Sequence, residues 1–250
     1  MKNLIFDGLI NARDLSQSNK IKENKLIRSE DLSKLSSNDL DKLENKHNVK
    51  IIIDLRMKKE KKLKDKLFPN VKYVEVPFKN YKELKSNPDK KARKHKNGIF
   101  PNLCEYYRLL VARDKKDNWT KIFNEIYNNK DGAILWHCQQ GKDRTGIVAA
   151  IIEYALGLSD EEVMEDYLFT NNSLATPLKY KLISFIFIFK KLRQEFMELF
   201  TARKEYLLAT LDYIKTTYGG IDGFLLEMCG IDNNKKLELR KIYLKSDIEA

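Results

Sequence analysis

Cys138 and Arg144 stand six residues apart and bracket a short polar loop, His137-Cys138-Gln139-Gln140-Gly141-Lys142-Asp143-Arg144-Thr145-Gly146. A free thiol has a pKa near ~8.5, but a helix N-terminus and nearby cations can bring it to roughly 3.5–7.5, where it is a nucleophile. A guanidinium opposite the thiol can hold two oxygens of one phosphoryl group and follow them into a transition state, which a lysine point charge does less well. The apolar run Ile147 to Ile152 reads as a helix behind the loop. The first amides of a helix have no internal partner, and the macrodipole there favours negative charge. Gly141 gives the loop freedom to turn its N–H groups inward as an anion nest. The chemistry expected is therefore in-line attack of Cys138 on phosphorus. Arg144, the amides of Gln139, Gln140, Gly141 and Lys142, and Gly146 are expected to bind the phosphoryl oxygens. Thr145 is placed to donate its hydroxyl to the Cys138 sulfur when water cleaves the phosphocysteine. His137 is expected to orient the loop through its ring nitrogens rather than act as a base.

An apolar-flanked cysteine is more often an inert core residue. The histidine before it, the glycine at the third place after it and the Thr-Gly after Arg144 weigh against that reading. A nucleotide-binding Walker loop is excluded, because Gly141-Lys142 is followed by Asp143 and no glycine lies five residues before Gly141.

Two apolar runs must position the loop. Ala133 to Trp136 reads as a strand feeding Cys138, and Val49 to Arg56 reads as a buried parallel strand. Ligands of open α/β sheets collect at the carboxyl ends of strands. If the two runs lie parallel in one sheet, Asp54 and Cys138 emerge on the same edge. Asp54 is then a candidate general acid for the leaving oxygen. Asp143, inside the loop, is its rival, or else it fixes the loop through backbone N–H groups and Arg13 or Arg56.

His137 to Gly146 matches the HCxxGxxR(S/T)G signature and resembles the cysteine-dependent protein tyrosine phosphatases. The Gly-Lys-Asp-Arg-Thr-Gly form is similar to a bacterial and fungal branch that includes atypical tyrosine and phosphoinositide phosphatases. The resemblance implies an α/β, protein tyrosine phosphatase-like fold: a largely parallel central sheet flanked by helices, with a helical lid-like insertion at about 174–203. It implies no metal and no cofactor. It also supports Asp54, which opens an Asp-Leu-Arg at a strand end. Ile10 to Leu15 is similar to the family's Asn-Phe-Arg-Asp-Leu element, with Ala12 where an aromatic is usual and Ser16-Gln17 in place of glycines. Arg13 and Asp14 are read there as a structural ion pair. The activity implied is phosphate-monoester hydrolysis through a phosphocysteine, on a phosphorylated protein or a phosphoinositide. The alternatives are a catalytically silent phosphate-binding scaffold, and a sulfur- or arsenate-handling enzyme with a similar cysteine loop.

The rest of the chain bounds this reading. Its 250 residues, 42% of them hydrophobic, suffice for one substantial core, so residues 1–250 are expected to form one domain. The formal net charge is +11, and only ten of the 47 basic residues are arginine. Such a surface suits anionic partners or reflects a lysine-rich composition; with no aromatic-interleaved basic motif, nucleic acid is not expected. Lys142 either hints at a polyphosphorylated headgroup or points to solvent and pairs with Asp143. Three scattered cysteines make neither a disulfide framework nor a zinc site. The N-terminus has no sustained apolar region and no run nears 18 apolar residues, so a cytoplasmic protein is expected, with export by an unrecognised route left open. Met57 to Lys66 reads as a solvated segment, and Asn80 to Pro101 as a basic loop that could steer substrate. Ser37 is a plausible cap for a helix over Ser36 to Glu44. Leu178 to Phe200 contains the apolar stretch Ile183 to Phe189 between lysines, which is a buried helix, a lid, or a transient contact with a membrane surface.

Overall fold

The computed structural model describes residues 3–61, 70–79, 102–173 and 190–246. Among them, five short strands form one sheet: β1 (Arg13–Asp14), β2 (Leu26–Ser29), β3 (Val49–Asp54), β4 (Lys72–Glu75) and β5 (Ala133–His137), in the order β1-β2-β5-β3-β4. Only β1 runs antiparallel to its neighbour; β2, β5, β3 and β4 are mutually parallel. The continuous apolar runs that announced β3 and β5 belong to strands covered on both faces, as a parallel sheet requires. Every residue of β5 is buried.

Alternate side chains of these strands feed two apolar layers. Ile53 and Trp136 join the larger layer, and Ile27, Ile52 and Leu135 join a smaller one with Phe6, Leu9 and Leu43. The helices are α1 (Ser37–Asp41), α2 (Leu103–Leu110), α3 (Lys116–Asn128), α4 (Asp143–Leu156), α5 (Asp160–Ser173), α6 (Lys190–Glu198), α7 (Lys204–Tyr218), α8 (Ile221–Phe224) and α9 (Asn233–Tyr243). Helix α4 is buried along nearly its whole length. Its sequence therefore shows an apolar run rather than a one-sided stripe.

Several helix starts carry side-chain caps. Ser36, not Ser37, caps α1: its hydroxyl accepts from Asp39 N, and Asp39 returns the bond to Ser36 N. Two adjacent serines are equivalent in a sequence, and the acidic residue three places on selects the first as a capping box. Ser159 and Glu162 make the same exchange at the start of α5.

Register decides where the chemistry emerges. Asp54 pairs with His137, and Ser29 pairs with His137 from the other side. The carboxyl ends of β2, β3 and β5 therefore finish together, and Glu30, Asp54 and Cys138 lie on one edge. The basic stretch Asn80 to Pro101, the apolar stretch Ile183 to Phe189 and most of the expected insertion lie outside the described residues. No helix among the described residues is long and apolar enough to cross a membrane.

Candidate active site

The loop between β5 and α4 is held from outside by its carbonyl oxygens. Gln139 O accepts from Asp31 N at 3.4 Å, Gln140 O from Asn11 Nδ2 at 2.9 Å and Gly141 O from Arg28 Nη2 at 3.0 Å. A trans peptide points its C=O and the following N–H in opposite directions. Three successive carbonyls turned outward therefore turn the N–H groups of Gln140, Gly141 and Lys142 into the loop. Gly141 makes this possible with φ +66, and a Cβ there would come within 2.8 Å of Asn11 Nδ2 and of Glu30 N. Both the left-handed backbone and the close approach demand glycine.

Gly146 serves a different purpose from the anion contact expected of it. Its N–H donates to Lys142 O at 2.9 Å, and a Cβ would meet the Tyr167 ring at 3.2 Å and Arg28 Nη2 at 3.3 Å. It lets α4 lie close against Tyr167 and Arg28, and its amide is engaged in the helix.

The outer clamp is itself anchored. Arg28 pairs with Asp166, and Arg13 Nε reaches the same carboxylate at 2.7 Å. Arg13 also donates to Asp166 O, Thr170 Oγ1 and Asn11 Oδ1. The expected Arg13–Asp14 pair is therefore replaced by Arg13–Asp166. Neighbouring residues of a strand point to opposite faces, and the Asp14 carboxylate instead accepts from Ser16 N and Asn24 N. Burial alone would raise the pKa of Asp166, but Arg28 and Arg13 outweigh it and hold the carboxylate below its ordinary value.

On the β3 side the side chains themselves are tied. Asp54 is fully buried and accepts from Arg56 Nε and Nη2 at 3.0 and 2.9 Å, with Lys61 Nζ at 3.2 Å and His137 Nε2 at 3.8 Å. Burial pushes its pKa up, but the Arg56 hydrogen bonds and the neighbouring His137 bring it down to about 2. Arg56 also pairs with Asp31, which accepts from Gln139 Nε2 at 2.9 Å. The Gln139 side chain thus bonds to this network, and both Gln139 and Gln140 are exposed. His137 is fully buried, with Nε2 3.4 Å from the Tyr73 hydroxyl and 3.8 Å from Asp54 Oδ1.

Arg144 leaves the first turn of α4 and is 5% exposed. Its Nη1 and Nη2 form a two-pronged pair with Glu60 at 2.7 and 2.8 Å, and Nη1 also donates to Leu55 O and Phe78 O. Burial opposes its charge, yet Cys138, Tyr106 and Glu60 together raise its pKa above the ordinary arginine value. Glu60 occupies the end of the guanidinium, so its side-on edge, Nε–H with a second Nη2–H, is the fork that can meet an anion. Glu60 is hidden in the sequence because it lies within a lysine-rich segment that looks solvated; the sole signal is a carboxylate flanked by two lysines on either side.

Cys138 is 3% exposed directly after β5. Thr145 is fully buried, and its hydroxyl has no hydrogen-bond partner among the described residues. Asp143, at the N-terminus of α4, accepts from the Tyr107 hydroxyl and lies 3.3 Å from Lys142 Nζ. The Lys142 ammonium is turned neither to solvent nor to the loop's centre. It is 1% exposed and donates to Leu199 O at 2.6 Å and Thr201 O at 3.4 Å.

A buried cysteine at a strand exit, a ring of inward amides and an arginine at the helix start define a cysteine-dependent phosphoric monoester hydrolase. The chain belongs to the tyrosine phosphatase family, whose family model matches residues 4–245. It is 23% identical over 239 residues to the Cupriavidus necator protein named "Putative tyrosine-protein phosphatase H16_A0669", covering 92% of this chain and 85% of that one. It is 32% identical over 122 residues to "Triple specificity protein phosphatase PtpB" of Mycobacterium tuberculosis, covering 44% of each chain. Among solved structures, the core catalytic domain of the PP-IP phosphatase SIW14 from S. cerevisiae is similar, with 17% identity and a TM-score of 0.38, covering 77% of this chain and 91% of that one. Membership of the tyrosine phosphatase family makes a phosphorylated compound the substrate of this chain.

Proposed function

We propose that this chain dephosphorylates phosphotyrosyl proteins by two in-line displacements, with residues 1–250 acting as one catalytic unit. Cys138 is the nucleophile. The inward amides of Gln140, Gly141 and Lys142, with the side-on edge of Arg144, bind the phosphoryl oxygens. Thr145 supports the departing sulfur, and His137 orients the loop. Lys142 contributes its backbone N–H, since its ammonium is engaged with Leu199 and Thr201. The observation that carries this reading is the outward pinning of three successive loop carbonyls, because it builds an anion nest before any anion arrives.

Asp143 is the general acid in this scheme, in preference to Asp54. Asp54 is fully buried with both carboxylate oxygens held by Arg56 and a further contact from Lys61, so it has no oxygen free to address a leaving group. Phosphotyrosyl protein is preferred over phosphoinositide because the named relatives are protein phosphatases, and because the lysine that would address a headgroup is occupied. Three free thiols, Cys104, Cys138 and Cys229, suit a reducing compartment, and the cytoplasm is the proposed place of action.

The test is phosphate release from phosphotyrosyl, phosphoseryl and phosphothreonyl peptides and from a panel of phosphoinositides, with Cys138→Ser as the blank. Release that is fastest from phosphotyrosyl peptides and abolished in the variant is the expected result. A folded, reduced protein that binds phosphate but releases none from any substrate would replace this reading with a binding scaffold.

A further inference from the structure

The two oxygens of the Asp143 carboxyl stand in different surroundings. Oδ1 accepts the Tyr107 hydroxyl at 2.5 Å and lies 3.3 Å from the Lys142 ammonium. Tyr107 is fully buried, and its own oxygen accepts from the Tyr167 hydroxyl at 2.9 Å. Its ring stands edge-on to Tyr106 and Tyr167 and is packed 5.2 Å from the Tyr206 ring, so it has no room to swing away. Donation therefore runs one way, from Tyr167 to Tyr107 to Asp143, and each bond in such a chain polarises the next. Burial, with the Asp143 charge adding to it, holds the Tyr107 phenol far above its ordinary pKa, so the donor proton stays in place.

An oxygen whose lone pairs are already drawn by a hydroxyl and a nearby ammonium is the less basic of the two, so the proton goes to the other. We propose that Tyr107 is a positioning residue that confines the acid proton of Asp143 to Oδ2 and aims that oxygen at the leaving group. This rests on the assignment of Asp143 as the acid. In the first step the Cys138 sulfur bonds to phosphorus while the P–O bond breaks; its electron pair goes to the leaving oxygen, which takes the proton from Oδ2. In the second step water attacks phosphorus and gives its proton to Oδ2, and the S–P bond breaks to release the thiolate. The Tyr107 donor remains on Oδ1 throughout, so the carboxyl does not reorient between steps.

The experiment compares kcat/KM, which reports the first displacement alone, for phenyl phosphate, whose leaving group needs a proton, with kcat/KM for 2,4-dinitrophenyl phosphate, whose leaving group does not. Misplacing a general acid should cost Tyr107→Phe about tenfold on the first substrate and less than about twofold on the second, a part of the roughly 10²–10⁴-fold that a well-placed acid contributes. Vanadate affinity should be unchanged, which also shows that the variant is folded. In an Asp143→Asn background the Tyr107→Phe effect should vanish, since the two groups act as one. Equal losses on both substrates, or an undiminished loss in the Asp143→Asn background, would overturn the role of Tyr107. An Asp143→Asn enzyme that keeps wild-type kcat/KM on phenyl phosphate would instead remove the acid assignment itself.

Discussion

The catalytic loop has two flanks, and they do different jobs. On the β1–β2 side, Asn11, Asp31 N and Arg28 bond to backbone carbonyls, and Arg13 and Asp166 hold the clamp in place. On the β3 and α2 side, Glu60 and Tyr107 bond to the side chains of Arg144 and Asp143. The first flank shapes the nest and is indifferent to what is bound there. The second orients the groups whose charge or proton changes during the reaction. Damage to the first should therefore appear as lost fold and lost anion binding together, and damage to the second as lost turnover in a folded enzyme.

Arg28→Met is the strongest way to break this division. It removes a fully buried cation from Asp166 and frees Gly141 O. Removing one partner of a buried pair costs about 3–5 kcal/mol, and denaturant unfolding together with vanadate titration should show both losses at once. Glu60→Gln comes next. The guanidinium keeps its charge and the bonds to Leu55 O and Phe78 O, but loses the two-pronged pair that sets its angle. A fall of about 10–100-fold in kcat/KM with near-normal stability is expected, the scale for losing an orienting contact on a catalytic electrostatic group. If Glu60→Gln instead unfolded the protein while Arg28→Met did not, the two flanks would have to exchange roles.

Asp54 sharpens the comparison, because it lies beside the second flank yet behaves as scaffold. Its carboxyl falls from an ordinary 3.8 to about 2 in the fold. A depressed folded pKa contributes stability that is fully present above the unfolded value and is lost as pH falls through the folded one. The contribution is about 2 kcal/mol at neutral pH and disappears between roughly pH 4 and pH 2. Asp54→Asn should therefore be less stable by about that amount at pH 7 and equal to the wild type near pH 2, as followed by urea unfolding across pH. Its high-pH rate limb should be unmoved. Loss of that limb would return the acid role to Asp54.

What could be read without coordinates was whatever is contiguous or periodic. The loop declared itself because its nucleophile, glycine and arginine lie within ten residues, and the shared edge of Asp54 and Cys138 followed from two apolar runs. The anchors did not declare themselves. Arg13 and Asp166 are 153 residues apart, and nothing local distinguishes that partner from adjacent Asp14. Tyr107 lies on an amphipathic helix, where a tyrosine at core spacing looks like packing; its hydroxyl's destination is a tertiary fact. Gly146 matched a motif position, but its purpose was visible only from the Tyr167 ring above it.

Lys142 carries the smallest expected effect and separates the flanks most finely. Its ammonium ties the loop to the carbonyls of Leu199 and Thr201, just beyond α6. A lysine that reads a second phosphate would raise KM selectively for polyphosphorylated substrates when replaced. A lysine that only fastens the loop should not discriminate. Lys142→Met keeps the aliphatic stem and the backbone N–H that faces the nest, and loses one charge from a buried corner. Catalytic efficiency should therefore fall by no more than about threefold, roughly 0.6 kcal/mol, and by the same factor for a phosphotyrosyl peptide and a polyphosphorylated inositol lipid. A selective loss on the lipid would mean that the ammonium leaves Leu199 and Asp143 Oδ1 to meet the substrate, and Lys142 would then read a second phosphate.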